Sequence, residues 1–325
     1  MIVHWEAKRE QPLRLHIADR KELRMAVDFV EGGVADVADG VFVYVGPEGD
    51  SNNGIVLTGE GTISIDSFVK NYAGLTQALE RVSDRPVRLA INTHDDADHF
   101  SMNHFFRRQG AMIIASEVCR SRIETKMGLA SWVEDLRKRN PAVAHELTAP
   151  GELVPHVGLE DRATLRIAGE RIELLHMGHG HCPGDLVVNF PERGVLFAGD
   201  VLFAGVHGRL KTADVDSLIA MLERLAGIPC KTVVPGHGLP MKGVGREAIE
   251  TYKDYLVVLR GRITELISNG VTEDRVAAEL EGWKYAEWGR EQLFPVCARH
   301  VYKDVAWRMR FSLYNESQIM TRAGP

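Results

Sequence analysis

Thr93-His94-Asp95-Asp96-Ala97-Asp98-His99, which directly follows the apolar run Val87–Asn92, is the stretch from which the rest of this chain can be read. Four side chains with metal-ligand chemistry, His94, Asp96, Asp98 and His99, fall within six residues. Alternate residues of extended chain share a face, so a strand ending here points His94 and Asp96 the same way, and Asp98 and His99 then open a helix. Three further acid or imidazole residues follow, each in a Gly-rich turn after an apolar strand. They are His181 in Gly180-His181-Cys182-Pro183-Gly184-Asp185, Asp200 in Phe197-Ala198-Gly199-Asp200, and His237 in Val234-Pro235-Gly236-His237-Gly238. Ligands delivered by separate strand-end loops point to one divalent-metal site on a rigid scaffold.

At 325 residues and 45% hydrophobic, the chain can bury a large core as one big domain or as one domain with an appendage. A formal net charge of -6 argues against broad binding to nucleic acid, which needs a basic face. Cys119, Cys182, Cys230 and Cys297 are widely spaced and form no paired-cysteine metal motif, which suits free thiols in a reducing cytoplasm. No stretch approaches the roughly 18 apolar residues of a membrane span. The first twenty residues hold Glu6, Lys8, Arg9, Glu10 and Arg14 and no apolar segment, so no secretion signal is expected. The expected partners are a small-molecule substrate and a second copy of the chain, without nucleic acid or membrane.

Residues 1–35 read as an amino-terminal arm, because Leu13, Leu15, Ile17, Leu23, Met25 and Val27 tend to alternate with polar neighbours. Strands are expected at Val41–Val45, Ile55–Thr58 and Thr62–Asp66, between Gly, Pro, Asn and Asp turns. Asp66 ends the third at the same edge as the metal loops, where it would hold a ligand in place. Helix is expected from Asn71 to about Val82 and over Phe100–Arg108, with strand at Ala111–Ser116. Glu117–Pro150 is charged and mostly helical, interrupted at Asn140-Pro141, and should border the pocket. Strands follow near Thr164–Ile167, Arg171–His176, Asp185–Asn189 and Gly194–Ala198, the last leading into Asp200. Asp214 or Asp216 caps a helix over Ser217–Ala226, and strand Thr232–Pro235 delivers His237. From Val244 onward the pattern is largely helical, with Tyr252, Tyr255, Leu256 and Leu259 on one stripe.

The order THDDADH, GHCPGD, AGD and PGHG resembles the metallo-β-lactamase superfamily over about residues 36–242. The resemblance implies an α/β fold, the αββα sandwich, here flanked by the arm at 1–35 and a carboxy-terminal helical extension at 243–325. It implies metal ligands His94, Asp96 and His181 at one site, Asp98, His99 and His237 at the other, and Asp200 bridging them. Imidazole and carboxylate donors suit Zn²⁺, one or two ions per subunit, and also Fe²⁺ or Mn²⁺. A bridged pair acidifies bound water enough to make hydroxide near neutral pH.

Two departures stand out. The common pattern has a second histidine where this chain has Asp96, which makes the first site richer in oxygen and less zinc-selective. Flavodiiron proteins carry a carboxylate at the corresponding place. Phe100-Ser101 stands where many members carry Gly-Gly, which alters the pocket floor rather than the ligands. His179 and His176 compete with His181, which is preferred because it immediately precedes the Pro-Gly-Asp turn. Cys182 reads as a small semi-buried thiol beside the site. His207, Arg209 and Lys211 follow the bridging aspartate and read equally as an anion-binding group or a solvated loop. Asn103, His104 and Tyr72 are weaker candidates.

Together these features imply a metallo-hydrolase that turns metal-activated water on an ester, thioester or lactone, with Asp98 and Asp200 as catalytic carboxylates. β-Lactams, phosphodiesters and haloaromatics are alternative substrates, and an iron-dependent oxidoreductase of the same fold is the rival class. Asp96 offers a direct test. Asp96→His should raise zinc content in protein purified without added metal, and Asp96→Ala should lower it, because imidazole is the better zinc partner and alanine offers none. Equal zinc in all three proteins, measured by elemental analysis, would remove Asp96 from the ligand set.

Overall fold

The alternation Val41-Phe42-Val43-Tyr44 sends Val41 and Val43 into one apolar layer and Phe42 and Tyr44 into another, as a strand covered on both faces must. That division recurs throughout the computed structural model, which describes residues 31–147 and 149–322, with the side chains of 142, 143, 146 and 312–322 outside the description. Most of the expected amino-terminal arm, residues 1–30, therefore lies outside the described residues. Val34 and Ala35 already pair with the first hairpin.

The first sheet runs in chain order β1 (Val34–Ala38), β2 (Val41–Tyr44), β3 (Asn53–Leu57), β4 (Thr62–Ile65), β5 (Val87–Ile91), β6 (Met112–Ser116) and β7 (Val157–Leu159). Pairing is antiparallel from β1 to β4 and parallel from β4 to β7. The second sheet comprises β8 (Arg162–Ile167), β9 (Glu170–His176), β10 (Leu186–Phe190), β11 (Val195–Ala204), β12 (Thr232–Gly238) and β13 (Met241–Lys242), antiparallel apart from the β11/β12 pair. Val41, Val43, Val56, Ile63, Ile91, Leu174, Val188 and Phe197 meet between the sheets.

Helices cover both outer faces, giving the αββα sandwich. α1 (Tyr72–Val82) and α3 (Asn103–Arg108) lie on the first sheet, with Leu75, Ala78 and Phe106 buried against Ile55 and Ile113. Between them comes α2 (Ala97–Phe100), which shares an apolar cluster with α4 (Glu117–Met127) and α5 (Ala130–Arg139). α6 (Val215–Leu225) and α7 (Gly245–Ser268) cover the second sheet, joined by α8 (Phe294–Arg322). Asp214 caps α6, accepting from the Ser217 amide at 2.9 Å, whereas Asp216 pairs with Arg260. None of the helices described is long and apolar enough to cross a membrane.

Four expectations need correction. The helix over Phe100–Arg108 is split, because α2 ends at Phe100 and α3 starts at Asn103. β11 does not stop before Asp200 but carries it in mid-strand, where Gly199 at φ 53° shifts the register against β12. His237 likewise sits inside β12 rather than in a turn after it. The extension is not helical between Asn269 and Glu291 apart from one short 3₁₀ turn.

That irregular segment is held by aromatic packing. Trp283, Tyr285 and Trp288 are buried against Tyr255 of α7, with Trp288 stacked on Tyr255 at 4.5 Å and 10°. Its backbone is stitched to the exit of β11, since Gly289 donates to the Gly205 carbonyl and His207 donates to the Gly289 carbonyl, each at 2.9 Å. Trp288→Ala should lower unfolding free energy by about 3–5 kcal/mol, the usual cost of emptying a tryptophan site. Denaturant titration showing a loss under about 1 kcal/mol would mean that the segment does not depend on this ring.

Candidate metal centre

The seven residues singled out from the sequence converge because of strand direction. β4 and β5 are parallel, and β11 and β12 are parallel, so the carboxyl ends of all four reach one edge of the sandwich. β10 runs antiparallel to β11, so the turn preceding it reaches the same edge and brings His181. His179 is left exposed with its Nε2 2.5 Å from the Thr212 carbonyl, and His176 bonds the Asp185 carbonyl through Nδ1, so His181 alone of the three enters the cluster.

Three groups of donor atoms form, each with its atoms within 4.8 Å of one another: His94, Asp96 and His181; Asp98, His99 and His237; and His94, His99 and Asp200. Asp200 is the hub. One or other of its carboxylate oxygens lies 3.8 Å from His94 Nε2, 3.4 Å from His99 Nε2, 3.6 Å from His181 Nε2 and 3.6 Å from His237 Nε2. Asp96 Oδ2 approaches His181 Nε2 at 3.4 Å, and Asp98 Oδ2 approaches His237 Nε2 at 3.3 Å. His94 and His99 are wholly buried, while the Asp96 side chain is half-exposed and opens the first group toward solvent.

The outer partners fix which ring nitrogen faces inward. Asp66 Oδ1 accepts from the Thr93 amide, and its Oδ2 accepts both from the Thr93 hydroxyl and from His99 Nδ1, at 2.7, 2.7 and 2.8 Å. The same hydroxyl receives His94 Nδ1 at 3.0 Å, so one carboxylate orients two imidazoles. Asp66 does this from a left-handed conformation at φ 60°, a cost that packing must offset. His237 Nδ1 donates to the Gly49 carbonyl at 2.8 Å. Asp185 accepts from the His181 and Cys182 amides and from the Cys182 thiol, which makes Cys182 a buried donor within the turn. Gly236 is obligatory beneath the hub, because a Cβ there would stand 1.9 Å from Asp200 Oδ1.

These groups fit a divalent cation. His94 Nε2, His99 Nε2 and Asp200 Oδ1 are buried without a hydrogen-bond partner, which is costly for polar atoms unless something else binds them. The fields agree. Burial pulls the His99 imidazole down, but Asp200, Asp66 and Asp98 outweigh it and push its pKa up to about 10. Burial likewise opposes the charged form of His181, yet Asp96 and Asp200 raise it to about 9. His94 is lowered, by burial and then by His99. Burial disfavours ionised Asp98, but His99 and His237 hold its carboxyl well below the usual range. The carboxylates thus create a strongly cation-seeking volume.

Asp95, inside the opening motif, faces away from the cluster and pairs with Arg122 at 2.9 Å and Lys126 at 2.5 Å, tying the ligand loop to α4. Nothing local marks this role, since Asp95 stands among residues of metal-ligand type. Asn103 is structural, bonded to Asn92 and the Leu153 carbonyl, and Tyr72 packs edge-on against Phe105. His207 is buried among aromatic rings with Nδ1 on the Tyr255 hydroxyl at 2.9 Å, and Arg209 is exposed.

The family model of the metallo-beta-lactamase superfamily matches residues 46–237. The 2,4-dinitroanisole O-demethylase subunit alpha of Nocardioides sp. (strain JS1661) is 27% identical over 222 residues, 66% of this chain and 58% of that protein. A hydroxyacylglutathione hydrolase of Synechococcus sp. (strain ATCC 27144 / PCC 6301 / SAUG 1402/1) is 32% identical over 152 residues, 44% of this chain and 47% of that protein. The chain spans about half the length of the curated relatives it matches. The sec-alkylsulfatase Pisa1 from Pseudomonas sp. shares the fold, with a TM-score of 0.58 at 14% identity over 83% of this chain and 50% of that one. The clearest measurable consequence of the geometry concerns Asp66. Asp66→Ala should weaken divalent-metal affinity about 10- to 100-fold in chelator competition, the usual cost of losing an outer partner, and an unchanged affinity would strip Asp66 of its orienting role.

Proposed function

Because this chain belongs to the metallo-β-lactamase superfamily, we propose that it is a metal-dependent hydrolase whose His94, Asp96 and His181 hold one divalent ion and whose Asp98, His99 and His237 hold a second. Asp200 would contribute to holding both, and its position among four imidazoles is the observation that carries this reading. Zn²⁺ is the proposed ion, with Fe²⁺ or Mn²⁺ the competitors that a site containing Asp96 admits. Such a pair, when bound, supplies an acidified water and Lewis-acid polarisation of the electrophile.

The chain's own residues do the rest. Asp66 and Thr93 keep His94 and His99 with their Nε2 atoms inward, and the Gly49 carbonyl does the same for His237. Phe203 stacks parallel to His237 at 5.6 Å and also approaches His181, so an apolar ring excludes water from that side. Asp98, partly exposed beside His237, would orient the nucleophile and could hold its proton for the leaving group. The proposed substrates are small carboxylic esters, thioesters or lactones, a reading supported by the hydroxyacylglutathione hydrolase likeness. The carboxylate of Asp96 favours, as a second reading, an iron-dependent oxidoreductase. The exposed rings of Trp307 and Phe311, stacked on α8, support a homodimer.

Protein purified without added metal should contain divalent ions, and a panel of 4-nitrophenyl ester, thioester, lactone and phosphodiester substrates with each metal restored should show the ester class hydrolysed fastest. Asp200→Ala should lose both ions and at least about a thousandfold in kcat/KM, because Lewis-acid stabilisation is worth several kcal/mol. Full metal and full activity in that variant would sink the proposal.

A further inference from the structure

Arg290 lies beyond the family match, in the irregular segment of the carboxy-terminal extension, yet its side chain reaches the candidate centre. A Cβ built on Gly49 would stand 3.0 Å from Arg290 Cδ and 3.5 Å from its Nε. Gly49 is the residue whose carbonyl fixes His237, so the guanidinium stem lies directly against an anchor of the metal cluster. The backbone that presents it is pinned. Gly289 is bonded on both sides to the exit of β11, Arg290 itself adopts a left-handed conformation at φ 58°, and its carbonyl accepts from the Leu293 amide at 2.8 Å. A bulky residue held in that conformation marks a constrained position, and such positions cluster at ligand clamps.

The charge of Arg290 has no close partner. Among the described residues its guanidinium makes no hydrogen bond and no ion pair, in a protein whose half-buried cations Arg122 and Lys126 are both paired. Burial lowers its pKa, while Asp200, Asp98 and, more weakly, Asp50 act on it in the opposite sense, which places it within electrostatic reach of the hub carboxylate. The exposed Arg209 also acts on it, from the strand exit whose His207 amide donates to the Gly289 carbonyl. Together they present five-donor forks of the kind that match an anionic oxygen pair.

We propose that Arg290, with Arg209 at the rim, is the anion-recognition subsite of this centre and selects substrates that carry a carboxylate near the scissile bond. The assignment rests on the hydrolase reading and narrows its substrate class. A neutral substrate would leave the half-buried Arg290 fork without a hydrogen-bonded partner, whereas a carboxylate supplies a bidentate one.

The test compares 4-nitrophenyl acetate with mono-4-nitrophenyl glutarate, zinc-loaded wild type against Arg290→Met. The methionine variant keeps the stem and removes the fork. Wild type should prefer the glutarate ester, and Arg290→Met should lose that preference about 10- to 100-fold, chiefly through KM, as expected for removal of one charge-assisted contact. Calorimetric titration of glutarate and of sulfate into both proteins reads the subsite without turnover. Glutarate should bind wild type at least about tenfold more tightly than the variant; tighter sulfate than glutarate, or equal binding to both proteins, overturns the assignment. Arg290→Gln replaces the methionine variant if that one fails to fold, and loss of zinc from both variants also overturns it, since Arg290 would then merely brace Gly49. If wild type cleaves neither ester, the hydrolase reading fails while the titration still decides Arg290.

Discussion

Electrostatic crowding is the constraint on which the rest of this molecule depends. Asp96, Asp98 and Asp200 bring three carboxylates to one set of four imidazoles, and neighbouring negative charges in a largely buried volume oppose one another. Protons on His99 and His181 relieve this in part. A divalent cation would relieve it more fully, because one ion would satisfy several of the inward nitrogens at once. Such an arrangement persists only if the ligands cannot swing apart. Asp66, Thr93, Gly49 and Asp185 each spend their hydrogen-bonding capacity on preventing that.

Strand direction turns a local sequence pattern into a site. In a purely antiparallel meander, successive strand ends would alternate between the two edges of the sandwich. Parallel pairing of β4 with β5 and of β11 with β12 breaks that alternation and gathers the ends together. Glycine then permits the final approach, through the positive φ of Gly199 and the missing side chain of Gly236. The aromatic packing of Trp283, Tyr285 and Trp288 adds an outer wall from the carboxy-terminal extension.

Much of this was legible in the chain because the chemistry is dense. The seven ligand-type residues stand in short motifs, the αββα fold is what the family resemblance of those motifs implies, and Asp66 could be assigned its supporting part from its place at the end of a strand. The residues that escaped notice lack any local mark. Asp200 was expected just past a strand because Gly199-Asp200 reads as a turn, whereas a register shift with a distant strand lets it stay inside one. Asp95 is hidden among ligands, and its partners lie on a helix whose approach is a tertiary matter. Arg290 resembles any charged residue in a polar turn. Trp283, Tyr285 and Trp288 fall in the stretch after Val244 whose pattern reads as largely helical, and their mutual packing is a tertiary matter that local periodicity does not show.

β11 has a further consequence. Its Val195 and Phe197 belong to the layer between the sheets, while Leu196, Ala198 and Val201 belong to the layer beneath α6 and α7, and Asp200 hangs from the same backbone. Local opening of a loop cannot displace the hub; only separation of both layers can. Amide exchange along β11 is thereby tied to opening of the sandwich as a whole. The position of the hub carboxylate is set by the packing of two layers at once rather than by a loop of its own.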